Sequence, residues 1–399
     1  MTGAPWISVA LPLSRLAALA TLPRRGGKVG AAVPSKTIRT RHSAPPEPTS
    51  RTPRPVDSTI LLLLVQDGVV NGAIYALIAL SLVLVFTVTR VILIPQGEFV
   101  AYGALTLAAF EAGHRPGTVG LLLALGAAAF VADLAAGRHT LDARSLGAIA
   151  LRDLVLPAAI AGATLVVPEK PGLLVGILLT LAIVTPMGAY LHAVAYRPLE
   201  HASVLVLLVA SVGCHLALTG LGLVFFGAEG SRTPPLSDAM IPAGPLVVSG
   251  QSLWMLALTA AIILGLWTFF GLTLIGKALM ATAVNRLGAR LMGIAPSMAG
   301  RLSFSVAAFI GALSGILVAP LTTIYYDTGF LIGLKGFVAA IIGGLASYPG
   351  AALAAVLVGI IEAFSSFHAS AFKEVIVFMA IIPVLLWRSL RSHPVEDDE

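Results

Sequence analysis

Residues 271–277 read Gly-Leu-Thr-Leu-Ile-Gly-Lys, the G-x-x-x-x-G-K spacing with which a loop between strand and helix wraps amides and a lysine around nucleotide phosphates. That chemistry also needs a hydroxyl for magnesium, and position 278 is Ala278. An apolar run of span length precedes the motif, and no strand with an acidic metal ligand follows it. The spacing therefore does not make a nucleotide site. The same stretch reads instead as an amphipathic helix: Leu279, Met280, Ala283, Val284, Leu287, Leu291 and Met292 fall on one side, and Lys277, Thr282, Asn285, Arg286 and Arg290 on the other. Gly293 ends it and Pro296 forbids its continuation. Such a helix either rests on a lipid surface, its cations attracted to anionic headgroups, or fits its body into a groove on a soluble partner. The residues alone leave both open.

Few other residues have the types and spacing for chemistry. Cys214 is the single cysteine, which excludes an internal disulfide and a cysteine metal cluster. His192, His201, His215 and His368 lack metal-ligand spacing, and the run Gly311-Ala312-Leu313-Ser314-Gly315 is not the G-x-S-x-G of a hydrolase nucleophile. More telling are the acids Glu98 and Glu362 inside apolar stretches. An ionised side chain at mid-membrane costs about 2.5–3.5 kcal/mol on insertion scales, so each must face the bundle interior, a cavity or a partner. Glu98 either lines a solute path or caps the start of its helix; Glu362 reads as a hydrogen-bonded link between helices. Lys335 sits at the outer mouth of a path or snorkels to the interface. Asn71 and Tyr75, one turn apart on one helix face, either meet a solute or bond neighbouring helices. Together with Gln96 these residues make the expected translocation path: Asn71, Tyr75, Gln96, Glu98 and Lys335. Amides and hydroxyls suit a zwitterion, whose charges pair with each other.

The elements that must hold these residues are membrane helices. Of 399 residues, 57% are hydrophobic and 11% charged, and the mean hydropathy is +0.95, which excludes a soluble globular domain. Apolar stretches near 60–88, 92–112, 119–134, 153–168, 172–195, 203–226, 252–273, 302–325, 334–367 and 371–389 predict an all-α polytopic bundle of 8–11 membrane helices. The ninth stretch is split at Ser347-Tyr348-Pro349-Gly350. Gly311 with Gly315, and Gly343 with Gly344, point to close helix contact, since lipid gives helices no hydrophobic reason to associate. The net charge of +6 resides in residues 1–57, where nine basic residues face Glu47 and Asp57, so no groove for nucleic acid is implied. This Pro/Ser-rich tail is expected to be disordered, and an upstream start-site artefact is favoured over a targeting segment or a genuine arm. The apolar body covers 58–390, with a loop at 274–301, and residues 391–399 form an acidic tail.

Loop charge sets orientation. Lys277, Arg286, Arg290 and Arg301 occur in 274–301 without an acid, whereas Glu229, Arg232 and Asp238 share 228–251, placing the first loop in the cytoplasm and the second outside. Arg388 and Arg391 put the C-terminus inside, and counting backwards puts 137–153 and 196–203 inside as well. The same count leaves the basic tail outside, so either the tail is not real, its apolar patch makes an extra crossing, or the span count is off by one.

In order along the chain, "NGAIYALIALSLVLVF" (71–86), "PQGEFVAYGAL" (95–105), "YRPLEHASVLVLLVASVG" (196–213), "GKALMATAVNRLGARLMGIA" (276–295) and "GLKGFVAAIIGGLASYPGAALAAVLVGIIEAF" (333–364) resemble the permeases of branched-chain amino acid ABC importers. The resemblance implies a coupling loop gripped by separate cytoplasmic ATPase subunits, with Lys277, Asn285, Arg286, Ala289, Arg290, Gly293 and Ile294 at that contact. It implies a second homologous permease or a homodimer, an extracytoplasmic solute-binding protein, location in the cell inner membrane, and no catalytic residue, metal or cofactor in this chain. Val284 replaces the usual acid before the Asn, Ile94-Pro95-Gln96 replaces an Asn-Phe-Ala-His run, and Ala346 replaces a Gly. Residues 113–171 look like an insertion. The competing readings are a stand-alone secondary transporter or channel, for which clear repeated halves and an ion site are missing, or a related permease for urea, amides or sugars.

Overall fold

The computed structural model describes residues 58–137, 142–244 and 246–391. The expectations for residues 1–57 and for 392–399 lie outside the described residues. Among the described residues, nine helices are long and apolar enough to cross a membrane, and two shorter apolar ones, Leu274–Val284 and Thr328–Gly343, accompany them. The chain is an all-α, multi-pass membrane protein.

The order is α1 (Ser58–Thr89), α2 (Gln96–Glu111), α3 (Thr118–Gly137), α4 (Ala143–Ala150) running through a π-turn at Leu151–Val155 into α5 (Leu156–Val166), α6 (Leu173–Leu191) with a π-turn at His192–Tyr196, and α7 (Val204–Phe226). A hairpin follows, β1 (Met240–Ala243) antiparallel to β2 (Leu246–Ser249), with Ile241 opposite Val248. Then come α8 (Gly250–Leu272), α9 (Leu274–Val284), α10 (Arg286–Leu291), α11 (Pro296–Val318), α12 (Thr328–Gly343), α13 (Tyr348–His368), α14 (Lys373–Met379) and α15 (Ile381–Arg391).

α1 is apolar all round, and the chain encloses it accordingly, between α11, α12 and α13. Its contact with α13 is a seam of backbone on backbone: a Cβ on Gly68 or Gly72 would strike Val356 or Ile360, and one on Gly359 would strike Gly68 and Gly72. α2 lies against α6, α11 and α12, and there Gly315 lets α11 touch the carbonyl of Val100. Packing of small residues is what holds this centre together.

Two boundaries differ from the sequence pattern. The stretch read as a span from residue 92 is irregular until Pro95, and α2 begins only at Gln96, because proline cannot donate to a preceding turn but suits a helix start. Residues 91–95 are buried or half-buried, so this non-helical backbone is sheltered by protein as the membrane interior demands. α11 starts at Pro296, within the stretch read as loop, and thereby takes Arg301 into a buried helical position.

Candidate functional site

Glu98 is fully buried in the first turn of α2, where the helix dipole favours an acid. Its Oε1 is 2.9 Å from Nδ1 of His215, which lies near the middle of α7 and stacks on Phe330 of α12 at 4.5 Å between ring centres. Its other oxygen has no protein partner. Gln96, two residues earlier and so on another side of α2, donates from Nε2 to the carbonyl of Ala307 of α11 at 3.0 Å, and its Oε1 is unpaired. Three helices thus bring a carboxylate, an imidazole and an aromatic face together deep in the apolar slab, with acceptors to spare. Sequence reasoning gave His215 no role; its only local signal was a neighbour, Cys214, pointing elsewhere.

Tyr75 and Lys335 belong to a second cluster. The Tyr75 hydroxyl donates to Oε2 of Glu362 at 2.5 Å, and Lys335 Nζ donates to Oε1 of the same carboxylate at 2.6 Å and to Glu374 at 3.1 Å. Lys335 is buried and ion-paired, so it does not snorkel. Asn71 does not join these bonds; with Asp67, Glu362 and Lys373 it borders a cavity of about 410 Å³. The five expected path residues are therefore divided: Glu98 turns to α7, Gln96 starts the same helix but turns to α11, and Tyr75, Lys335 and, at its edge, Asn71 lie at another place.

The amphipathic stretch is two helices rather than one. Asn285, at φ −147° and ψ 99°, leaves the helical region at the end of α9, and its side chain accepts from the Gly288 amide at 2.8 Å to start α10. α10 ends in a Schellman pattern: Ile294 N–H donates to the carbonyl of Ala289 at 2.9 Å, while Gly293 takes the left-handed φ of 81° that a side chain would oppose. α9 is rooted in the bundle, with Leu279 packed beside Leu84 and Val88 of α1 and Ala299 of α11. Ala289 is also buried. Ala283 packs on the cluster around Leu279, but most of the supposed apolar face beyond it is bare: Val284 is 84%, Leu287 69%, Leu291 81% and Met292 82% exposed. Lys277, Asn285 and Arg290 are exposed, whereas Arg286 and Ile294 are half-buried.

A further cluster escaped the sequence analysis. Asp133 of α3 accepts from Arg152, Arg197 and Arg301, and Arg152 Nε also donates to Asp153 at 2.7 Å. It ties the segment read as an insertion to the ends of α6 and α11.

A family model described as the branched-chain amino acid transport system permease component matches residues 147–385. The chain belongs to that family. Among its relatives, the high-affinity branched-chain amino acid transport system permease protein BraD of Pseudomonas aeruginosa is 28% identical over 216 residues, 52% of this chain and 70% of that protein. The LivH permease protein of Escherichia coli K12 is 28% identical over 215 residues, 52% and 69% of the two chains. That of Salmonella typhimurium is 28% identical over 220 residues, 53% and 71%. The branched-chain permease match takes in α9, α10, Lys335 and Glu362, while Glu98 and Asp133 lie ahead of it.

Proposed function

We propose that the chain is the membrane permease of an ATP-driven importer in the cell inner membrane, forming the path for branched-chain amino acids or related small polar solutes. The observation that carries this is the bare apolar rim on α9 and α10. Fully burying a side chain of the Val, Leu or Met kind is worth about 1.5–3 kcal/mol, so a rim of four, flanked by cations and rooted by Leu279 on α1 and α11, is a handle shaped for a partner. The partner is a pair of cytoplasmic ATPase subunits, with Lys277, Asn285, Arg286, Ala289, Arg290, Gly293 and Ile294 at the contact. Their closure on ATP pushes α9 against α1 and α11, which in turn pack on α12 and α2, the helices that meet α7 at the path. Solute arrives on an extracytoplasmic binding protein, and a homologous permease or a second copy of the chain completes the membrane unit. Within the path, the free oxygen of Glu98 is placed to receive an ammonium group, while Gln96, at the start of the same helix, turns to α11. Hydrolysis belongs to the partners, not to this chain.

The test is Arg286→Glu in the reconstituted complex. Solute-stimulated ATP hydrolysis is expected to fall by about tenfold or more, the usual consequence of reversing a charge in a desolvated contact, while the variant elutes in detergent like the parent. Unchanged coupling in a well-behaved variant overturns the assignment of the handle.

A further inference from the structure

Where α3 and α5 pack on α6, next to the start of α11, three guanidinium groups meet two carboxylates, leaving a surplus of one positive charge. Asp133 takes one bond from each of Arg152, Arg197 and Arg301. Asp153 is occupied by Arg152, through Nε at 2.7 Å and Nη2 at 2.9 Å. Arg301 is left with a buried Nη1 that has no hydrogen-bond acceptor; it lies 3.6 Å from Asp153, close enough for attraction but not for a hydrogen bond. All three arginines line one cavity of about 820 Å³.

The walls and depth of that cavity narrow what it can hold. Ser297 and Ser305 add hydroxyls beside the arginines, but Leu156, Pro186 and Met298 make much of the remaining surface apolar. By loop charge, the end of α3, the start of α4, Arg197 and the start of α11 all lie on the cytoplasmic side. The cavity therefore sits at the level of the inner-leaflet headgroups, and beside it Leu151 and Val155 are exposed as lipid-facing residues are. An anion with apolar chains attached fits such a place better than a free ion, and the guanidinium fork matches a phosphate in geometry. Basic pockets between membrane helices on this side are suited to anionic headgroups.

We propose that the cavity between α4, α6 and α11 binds an anionic phospholipid of the cytoplasmic leaflet, its phosphate held by the spare donors of Arg152, Arg197 and Arg301. Ile275 of α9 lines the same cavity, so the bound lipid touches the base of the handle. The inference does not depend on what the handle grips.

Native mass spectrometry of the full chain in detergent, offered phosphatidylglycerol or phosphatidylcholine, tests it. Retention of phosphatidylglycerol is expected to exceed that of phosphatidylcholine by about fivefold for each arginine engaged. Arg152 is half-exposed, Asp133 keeps two other partners, and the unpaired Nη1 of Arg301 stands 3.6 Å from Asp153, near enough to take over its pairing, so Arg152→Gln should fold and lower the preference about fivefold, while Arg152→Lys keeps most of it. Ala189→Phe fills the cavity without touching a charge, and it too should lose the lipid. Equal retention of the two lipids, or an unchanged preference in both Arg152→Gln and Ala189→Phe, overturns the proposal. Displacement of phosphatidylglycerol by millimolar inorganic phosphate also overturns it, by assigning the site to a soluble anion.

Discussion

Glu98 and Glu362 are both carboxylates sunk among apolar helices, yet their surroundings differ. Glu362 has each oxygen in a hydrogen bond, one from Tyr75 and one from Lys335, and a compensating cation beside it. Glu98 has a hydrogen bond with His215, the Thr219 hydroxyl beside it, no cation among the described residues comparable to Lys335, and one oxygen outside any close hydrogen bond. A buried acid with a bond to each oxygen and a cation beside it is already compensated, and Glu362 joins α1, α12 and α13. An acid with a bare oxygen is costly to the fold and is kept at that cost where something else is to complete it. On this ground Glu98 belongs to the proposed path and Glu362 to the scaffold, although both looked alike as isolated acids in apolar sequence.

The strongest way to break that contrast is Lys335→Met, which strands Glu362 without its cation. It is expected to destabilise by about 3–5 kcal/mol, read as a fall in thermal midpoint in detergent. The double variant Lys335→Met with Glu362→Gln should recover most of that loss, because both charges leave together; no recovery would mean the pair is not the scaffold link. Glu98→Gln is expected to act the other way round. The amide keeps a bond to His215, so stability should stay within about 1 kcal/mol, but solute uptake into proteoliposomes should fall about tenfold through loss of a charge-assisted bond. Unimpaired uptake would remove Glu98 from the path. The smallest expected effect is that of Phe330→Leu, which preserves apolar bulk but not the stack on His215: about 0.5–1.5 kcal/mol in stability. A larger drop would show that His215 needs the ring to hold Glu98 in place.

Membrane spans and close helix contacts were legible because they depend on composition and local spacing. The apolar runs predicted the order of the helices and most of their ends to within a few residues, and Gly311 and Gly315 do lie where α11 meets α2. What local spacing cannot carry is partnership across the chain. The bond from Arg301 to Asp133 joins residues 168 apart, and that from Tyr75 to Glu362 joins residues 287 apart. Read singly, Arg301 was a loop cation and Asp133 was not singled out at all. The break at Asn285 was nearer to legible: an Asn three residues before Gly288 is a capping signal, but the apolar period continues through it and favours one unbroken helix. Why Val284, Leu287 and Met292 are bare was beyond the sequence for another reason. Periodicity tells which residues share a face, not whether this chain or another one covers it.

The glycine seam between α1 and α13 also bears on how such a body can rearrange. With Gly68, Gly72 and Gly359 bringing main chain onto main chain, and Tyr75 bonded to Glu362 across the same contact, little lies between the two rods that could shift rotamer and let one slide past the other. They must travel as a single piece. Any opening and closing of the route across the bilayer then has to take place at the looser borders, where bulkier groups such as His215 and Phe330 meet and can reseat.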